Sequence, residues 1–247
     1  MAFYRITYNE KYNFATLHNW GCTFRCPYCS YKLRSGADGR PGFSTPKPEK
    51  FLTVEEQKKA LLEIKPARVY FMGGEPTVAA ELEEMLRFAK EELGAETKLG
   101  HTNGSRLPLP CLDGANVGFK AWSEELHLQI TGRPKQLIYD NFRNAFDSGI
   151  KMAANMVFIP GFVGLDELEG CVRFIASLDP EIPFHIDGYI PVPGQPHRRP
   201  TDEEMLEAEA LVKSYLSNCR YSHLTSEEAL DLSARDDRFR VKRIAGV

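Results

Sequence analysis

Between residues 14 and 190 the chain repeats one pattern: a short run of β-branched and aromatic residues, mostly uncharged, then a longer stretch with apolar residues at helical spacing. Runs at 14–20, 69–72, 97–102, 116–119, 153–159 and 184–190 read as strands. Their brevity and lack of charge suit parallel strands covered on both faces, where alternation of polar and apolar residues is not required. The helices between them are marked at their ends. Thr53 with Glu56 forms a capping box for a helix that Pro66 stops near Lys65, and Thr201 with Glu204 opens another through Ser217. Leu82, Met85, Leu86, Ala89 and Leu93 share one face before Gly94; Ile138, Phe142, Ala145 and Phe146 share another before Gly149. Leu165, Leu168, Val172, Ile175 and Ala176 make a third stripe, closed by Pro180. These stripes read as core packing, so they locate the fold rather than the chemistry. With a weak helix over residues 105–112, the order gives an α/β chain of six strand–helix units, a partial (β/α)6 barrel rather than a closed one of eight. Chemistry in such a sheet is expected just after the strands, at their carboxyl ends.

The length fits this architecture as one domain over residues 1–247, with a core at about 14–195 and a helical extension at about 200–247. Charges nearly balance, 31 Lys and Arg against 34 Asp and Glu. That argues against a wholesale phosphate-neutralising surface, without excluding nucleic acid as a substrate. The longest apolar runs fall far short of the roughly 20 residues that span a bilayer. The first nine residues mix Arg5 with Tyr and Thr and lack the apolar stretch of a secretory signal, which places the chain in the cytoplasm with its thiols reduced. Residues 31–50, rich in Gly and Pro, read as a long loop: a lid, a partner surface or a mobile stretch.

Of six cysteines, Cys22, Cys26 and Cys29 crowd into the loop after the first strand, while Cys111, Cys171 and Cys219 stand alone. A disulfide framework suits neither the size nor the compartment. Three thiolates can hold three corners of a four-iron four-sulfur cubane, leaving one iron open to an outside ligand. Zinc is the competing reading, but its sites favour four ligands and commonly pair two distant short motifs; no second motif exists. His18 is available as a fourth ligand, yet it falls inside a strand, where a packed histidine is the ordinary outcome.

The three-and-two spacing of Cys22, Cys26 and Cys29, with Tyr28 before the last, resembles the radical S-adenosylmethionine superfamily. That resemblance implies a [4Fe-4S] cluster on the three cysteines and S-adenosyl-L-methionine chelated to the unique iron. It also implies reductive cleavage to a 5'-deoxyadenosyl radical that abstracts a substrate hydrogen. It places Tyr28 near the adenine, where an aromatic face suits a flat heterocycle. Gly73, Gly74, Glu75 and Pro76, after the second strand, look like the family's Gly-Gly-Glu motif, which binds the methionine ammonium; Glu75 would additionally offset its charge. His101, Thr102, Asn103 and Gly104 follow, then Gly118 with Lys120, then Asn155 ahead of Val157-Phe158-Ile159-Pro160-Gly161. Their order resembles the pyruvate formate-lyase activating enzyme branch, with Thr102, Asn103 and Asn155 as further cofactor contacts and Lys120 as partner of the methionine carboxylate; Asp187, on the sixth strand, is a candidate for the cofactor's ribose or the substrate.

Departures from that branch are visible. It commonly carries acids where His101 and Gly118 stand and an arginine near Asn155, groups able to hold a monovalent cation and the cofactor's carboxylate or ribose. His185, Asp187 and Tyr189 share one face of the sixth strand, directed either into the barrel or toward the helices. The resemblance implies an activase of a glycyl-radical enzyme, supplied with electrons by a flavodoxin or ferredoxin. Modification of a small molecule, peptide or RNA base is the alternative, and a non-catalytic electron carrier a third.

Overall fold

A computed structural model describes residues 2–43 and 46–246. Its nine strands are β1 (Phe3–Asn9), β2 (Phe14–Asn19), β3 (Arg68–Gly73), β4 (Glu96–Thr102), β5 (Gly114–Phe119), β6 (Lys151–Phe158), β7 (Phe184–Gly188), β8 (Cys219–Ser222) and β9 (Lys242–Gly246). They form one sheet in the order β8-β7-β6-β5-β4-β3-β2-β1-β9. All pairings from β2 to β8 are parallel, whereas β1 runs antiparallel to β2 and β9 antiparallel to β1. The α/β class and the partial barrel therefore stand, with seven parallel strands instead of six and an antiparallel pair at one edge.

The helices are α1 (Lys32–Ser35), α2 (Val54–Ile64), α3 (Leu82–Arg87), α4 (Glu124–Thr131), α5 (Gln136–Asp147), α6 (Leu165–Ala176), α7 (Asp202–Lys213) and α8 (Ser226–Leu230). Both expected capping boxes form: Thr53 and Thr201 each accept from the backbone of the glutamate three residues on, which returns its carboxylate to the cap N–H. The stripe from Leu82 breaks after Arg87 into a π-type turn over Phe88–Glu92. Residues 105–112 form no helix. Pro108 and Pro110 lack the N–H groups a helix there would need, so the β4–β5 connection crosses without one.

Period-two alternation sorts the strand residues. Leu17, Phe71, Val117, Met156 and Ile186 point outward and are fully buried beneath the helices. Phe142 of α5 and Phe174 of α6 meet Phe119 there at ring-centroid distances of 5.2 and 6.3 Å. Full burial of one such ring stabilises the fold by about 1.5–3 kcal/mol. The opposite face carries His18, Met72, Gly118, Asn155 and Asp187 into the barrel interior.

Beyond residue 200, the expected helical extension includes α7 and α8 but also β8 and β9, one at each edge of the sheet. Their sequences, CRYS and KRIAG, are short and charged, as edge strands often are, and offer little apolar pattern to read. Residues 44 and 45 of the long loop lie outside the described residues. Before them α1 forms, and Phe43 packs edge-on to Trp20 with ring centroids 4.6 Å apart.

Candidate active site

The cysteine loop leaves β2 at Asn19, a buried side chain whose Nδ2 donates to Gly21 O at 2.9 Å and to Glu75 O at 2.7 Å. One amide thus joins the loop after β2 to the loop after β3. Further backbone bonds lock the junction: Glu75 N donates to Gly21 O at 2.8 Å, and Gly21 N to Gly42 O at 3.1 Å. Gly42 belongs to the long loop, and its N–H donates to Cys29 Sγ at 3.3 Å. A Cβ on Gly74 would stand 2.2 Å from both Gly21 O and Gly42 O, so only glycine lets the three segments meet.

Within the loop, Phe24 N donates to Cys22 Sγ at 3.4 Å, and Arg25 N reaches Thr131 O at the end of α4 at 3.3 Å. Burial pushes the Cys22 thiol up to about 11 and the Cys26 thiol up to about 12, with the positive charge of Lys120 pulling both the other way. Thiolate ligands must therefore lose protons when a metal group arrives. Among the described residues no three His, Cys, Asp or Glu side chains converge on a point able to hold one metal ion. A tetrahedral zinc would need sulfurs about 3.8 Å apart, from Zn–S bonds near 2.3 Å.

Glu75 is fully buried. Its Oε1 accepts from Thr77 N at 3.0 Å, Thr77 Oγ1 at 2.7 Å and Thr102 Oγ1 at 2.8 Å, while Oε2 accepts from Asn103 N at 2.5 Å. Burial raises its pKa against the opposing pull of these donors. The carboxylate is thus a tie between the ends of β3 and β4 and is turned away from the cavity. Neither it nor Pro76, buried at the start of a 3-10 turn, lines the space where cofactor contacts were expected. Asn103, held by that tie, donates its Nδ2 to Thr23 Oγ1 at 3.0 Å in the cysteine loop.

That space is a cavity of about 560 Å³ at the carboxyl ends of the strands. Cys22, Cys26, Cys29, Tyr28, Gly73 and Gly74 line one side; Thr102, Asn103, Lys120, Asn155 and Asp187 line another. Tyr189 also lines it, so the face shared by Asp187 and Tyr189 turns inward, not toward the helices. Asn155 Nδ2 donates to Asp187 Oδ2 at 2.6 Å, and Ser222 Oγ donates to Oδ1 at 3.3 Å. His185 Nε2 lies 3.5 Å from the same oxygen. His101 lines the cavity too, 3.4 Å from Asn116 Nδ2. Among the described residues, two polar atoms here are buried without a partner: the Tyr28 hydroxyl and Asn155 Oδ1. A Cβ on Gly118 would lie 2.9 Å from Lys120 Nζ, so the lysine occupies the space of the missing acid.

His18 reaches the interior but takes the ordinary role: its Nε2 is 2.8 Å from Thr7 Oγ1, and burial, then the charge of Arg5, drives its pKa down to about 3. Asn19, Gly42 and Ser222 escaped sequence reasoning. Only Asn19 left a signal, since asparagine is disfavoured in a strand. A second, open hollow of about 570 Å³ between the β1–β2 turn and residues 239–242 gathers no comparable chemistry.

The model of the radical SAM superfamily matches residues 17–175, well over half the chain. The chain belongs to that superfamily. A Methanocaldococcus jannaschii protein whose name reads "putative glycyl-radical enzyme activating enzyme" is 28% identical over 218 residues, covering 82% of this chain and 78% of its own. Among solved structures, Streptococcus suis SuiB bound to S-adenosylmethionine superposes with TM-score 0.63 at 16% identity, over 87% of this chain and 52% of that one. A domain of pyruvate-formate lyase-activating enzyme from Bacteroides vulgatus gives TM-score 0.51 at 19% identity, over 63% of this chain and 99% of its own. The chain spans about half the length of SuiB. These likenesses are in the fold.

Proposed function

We propose that this radical SAM chain is an activase-type enzyme that holds a [4Fe-4S] cluster on Cys22, Cys26 and Cys29 and binds S-adenosyl-L-methionine beside it. The observation that carries the proposal is the convergence on one cavity of three thiols, the Gly73–Gly74 turn and two orphaned polar atoms, the Tyr28 hydroxyl and Asn155 Oδ1. Buried polar groups without partners are rare in native proteins, and a hydroxyl-rich, amine-bearing ligand would satisfy both. When bound, cluster and cofactor together supply reductive cleavage of the sulfonium and a 5'-deoxyadenosyl radical.

The chain's own residues hold, orient and screen. Among the described residues Lys120 has no anionic partner, and it offers its ammonium to the methionine carboxylate. The backbone at Gly73 and Gly74 receives the ammonium, with Thr102 and Asn103 fixing that wall through the buried Glu75. Tyr28, already edge-on to Tyr189 at 6.5 Å, presents an aromatic surface for the adenine. Asn155 and Asp187 face the ribose or the substrate. The surrounding walls keep water from the radical. Similarity to the M. jannaschii protein over most of both chains supports a glycyl-radical enzyme as the partner. A flavodoxin or ferredoxin is the fitting reductant, and the six free cysteines suit a reducing cytoplasm.

Anaerobic reconstitution followed by iron and sulfide analysis should give one four-iron cluster, lost in Cys22→Ala, Cys26→Ala or Cys29→Ala. With dithionite the protein should form 5'-deoxyadenosine from S-adenosylmethionine, and a glycyl-radical enzyme encoded beside it should develop a radical signal. A triple cysteine variant that keeps its cluster would overturn the site. Cleavage without any radical on such a partner would move the substrate to a small molecule, peptide or RNA base.

A further inference from the structure

β8 and β9 are opposite edges of the sheet, and residues 223–241 carry the chain from one to the other. Their route is fixed at both ends. Near the carboxyl ends of the parallel strands, Ser226 Oγ donates to Pro191 O at 3.1 Å, and Arg34 Nη2 donates to Leu230 O at 2.9 Å. At the other end of the barrel, Asn9 donates its Nδ2 to the carbonyls of Asp237, Arg238 and Arg240 at 2.7, 3.2 and 3.2 Å. The segment therefore runs down the seam that the open barrel leaves between its edges. Leu224 and Leu232 close the side of the cavity.

The strap is weakly held for something in that position. None of the side chains from 220 to 246 is buried, so it contributes no core and resembles the low-stability parts of a fold. Its ion pairs are mostly internal: Arg235 with Glu228, Arg238 with Asp236, and Arg240 with Asp237. Such pairs travel with the segment when it moves, leaving two external ties: Lys11 with Asp237 at the β1–β2 hairpin, and His223 with Asp202 of α7, beside which Arg199 donates to Leu224 O at 3.1 Å. With the strap in place, a cavity of about 560 Å³ suits one small ligand, a space the proposed cofactor would largely fill.

We infer that residues 223–241 are a displaceable gate, which leaves the seam to admit a polypeptide segment to the cavity and returns to close it. This rests on the activating-enzyme reading, in which the substrate is a glycine within a loop of another protein. A loop presents two chain segments at once, and on the side of the seam Leu224 and Leu232 stand against the cavity. Most tethers are strap carbonyls held by side chains of the barrel, with Ser226 donating the other way to Pro191 O, so opening breaks a handful of hydrogen bonds and withdraws no buried side chain of the strap.

Two measurements on the full chain test the gate. The first is hydrogen exchange on reconstituted protein: amides of 223–241 should exchange at least about tenfold faster than those of β4–β6, and faster again in Arg34→Ala by roughly tenfold, the loss of one tether. Arg34 is exposed, so that variant keeps its fold; Asn9→Ala is the stronger but riskier companion. The second is alkylation of cluster-free protein, comparing iodoacetamide with a 5 kDa maleimide-polyethylene glycol at Cys22 and Cys29. The small reagent should label wild type and Arg34→Ala alike, while the large one should label Arg34→Ala about tenfold faster. Strap amides as slow as those of β4–β6, or large-reagent labelling unchanged by loosening, would overturn the gate. Fast strap exchange in a protein that never cleaves S-adenosylmethionine would leave the gate standing and remove the enzyme reading. Normal cleavage behind a slow strap would do the reverse.

Discussion

Replacing Gly74 with alanine tests whether the three loops at the cavity are locked sterically. The added Cβ would sit 2.2 Å from Gly21 O and 2.2 Å from Gly42 O, roughly 1 Å inside normal contact on two backbone atoms that cannot rotate away. The glycine's φ is not in the left-handed region, so no conformational strain adds to the overlap. To relieve it, both carbonyls must retreat from the hydrogen bonds they accept: Glu75 N and Asn19 Nδ2 on Gly21 O, and Gly21 N on Gly42 O. Three such bonds at about 1 kcal/mol each give a loss of about 3 kcal/mol. With a urea m-value of about 3 kcal/mol/M for a chain of this size, the midpoint should fall by about 1 M. Gly149→Ala is the control: its φ is +85° with nothing within 4 Å of an added Cβ, so it should cost only the left-handed strain of about 1–2 kcal/mol. Urea unfolding of metal-free protein gives both numbers without interference from cluster loss. A Gly74→Ala midpoint within about 0.2 M of wild type would show that the loops are not interlocked as described.

Glu75→Ala should destabilise the metal-free protein by about 2–4 kcal/mol, because two buried backbone N–H groups, of Thr77 and Asn103, lose their acceptor; a change below about 0.5 kcal/mol in the same assay would contradict the tie. His18 stays neutral in the fold down to about pH 3, so its contribution is complete above its unfolded value near 6.5 and is lost as pH falls toward 3. Wild type should therefore lose up to about 2 kcal/mol more than His18→Gln between pH 6.5 and 5, at about 1.4 kcal/mol per unit, and equal slopes would refute it. Replacing Cys111, Cys171 and Cys219 together should leave iron content near wild type, since burial pushes the Cys171 thiol up to about 12 and Cys219 up to about 11, with no metal-holding group around either among the described residues; loss of a second cluster's worth of iron would sink this.

The parallel sheet was legible because its outward residues, such as Leu17, Phe71 and Met156, repeat beneath helices whose ends are marked by capping boxes. The cysteine loop and the Gly73–Gly74 turn were legible because their spacing is local. What escaped notice depends on contacts between distant segments. β1 mixes polar and apolar residues and lacks the uncharged apolar run of the parallel strands, while β8 and β9 gain strand conformation from the edges they join. Glu75 was expected to face a ligand because its motif does so by resemblance; only the fold shows that Thr77, Thr102 and Asn103 claim it. Gly42 meets the cysteine loop across a stretch of sequence that no periodicity describes.

The pairing of β1 with β9 sets Thr7 opposite Arg243, residues 236 apart in the chain (243 less 7). Closing so long a loop costs about 0.6 kcal/mol more for every doubling of its length, whereas the parallel neighbours from β2 to β6 are joined by connections of at most 48 residues (68 less 19, less 1). Sheet assembly should therefore begin at the middle strands and finish at this edge, with refolding slowed by its last and most distant contact. During synthesis the order is enforced: the cysteine loop emerges early, while the residues that cover the cavity's side are still to be made. The side of the cavity that Leu224 and Leu232 line thus stays open to solvent, and to whatever delivers iron and sulfide, until residues 242–246 find β1.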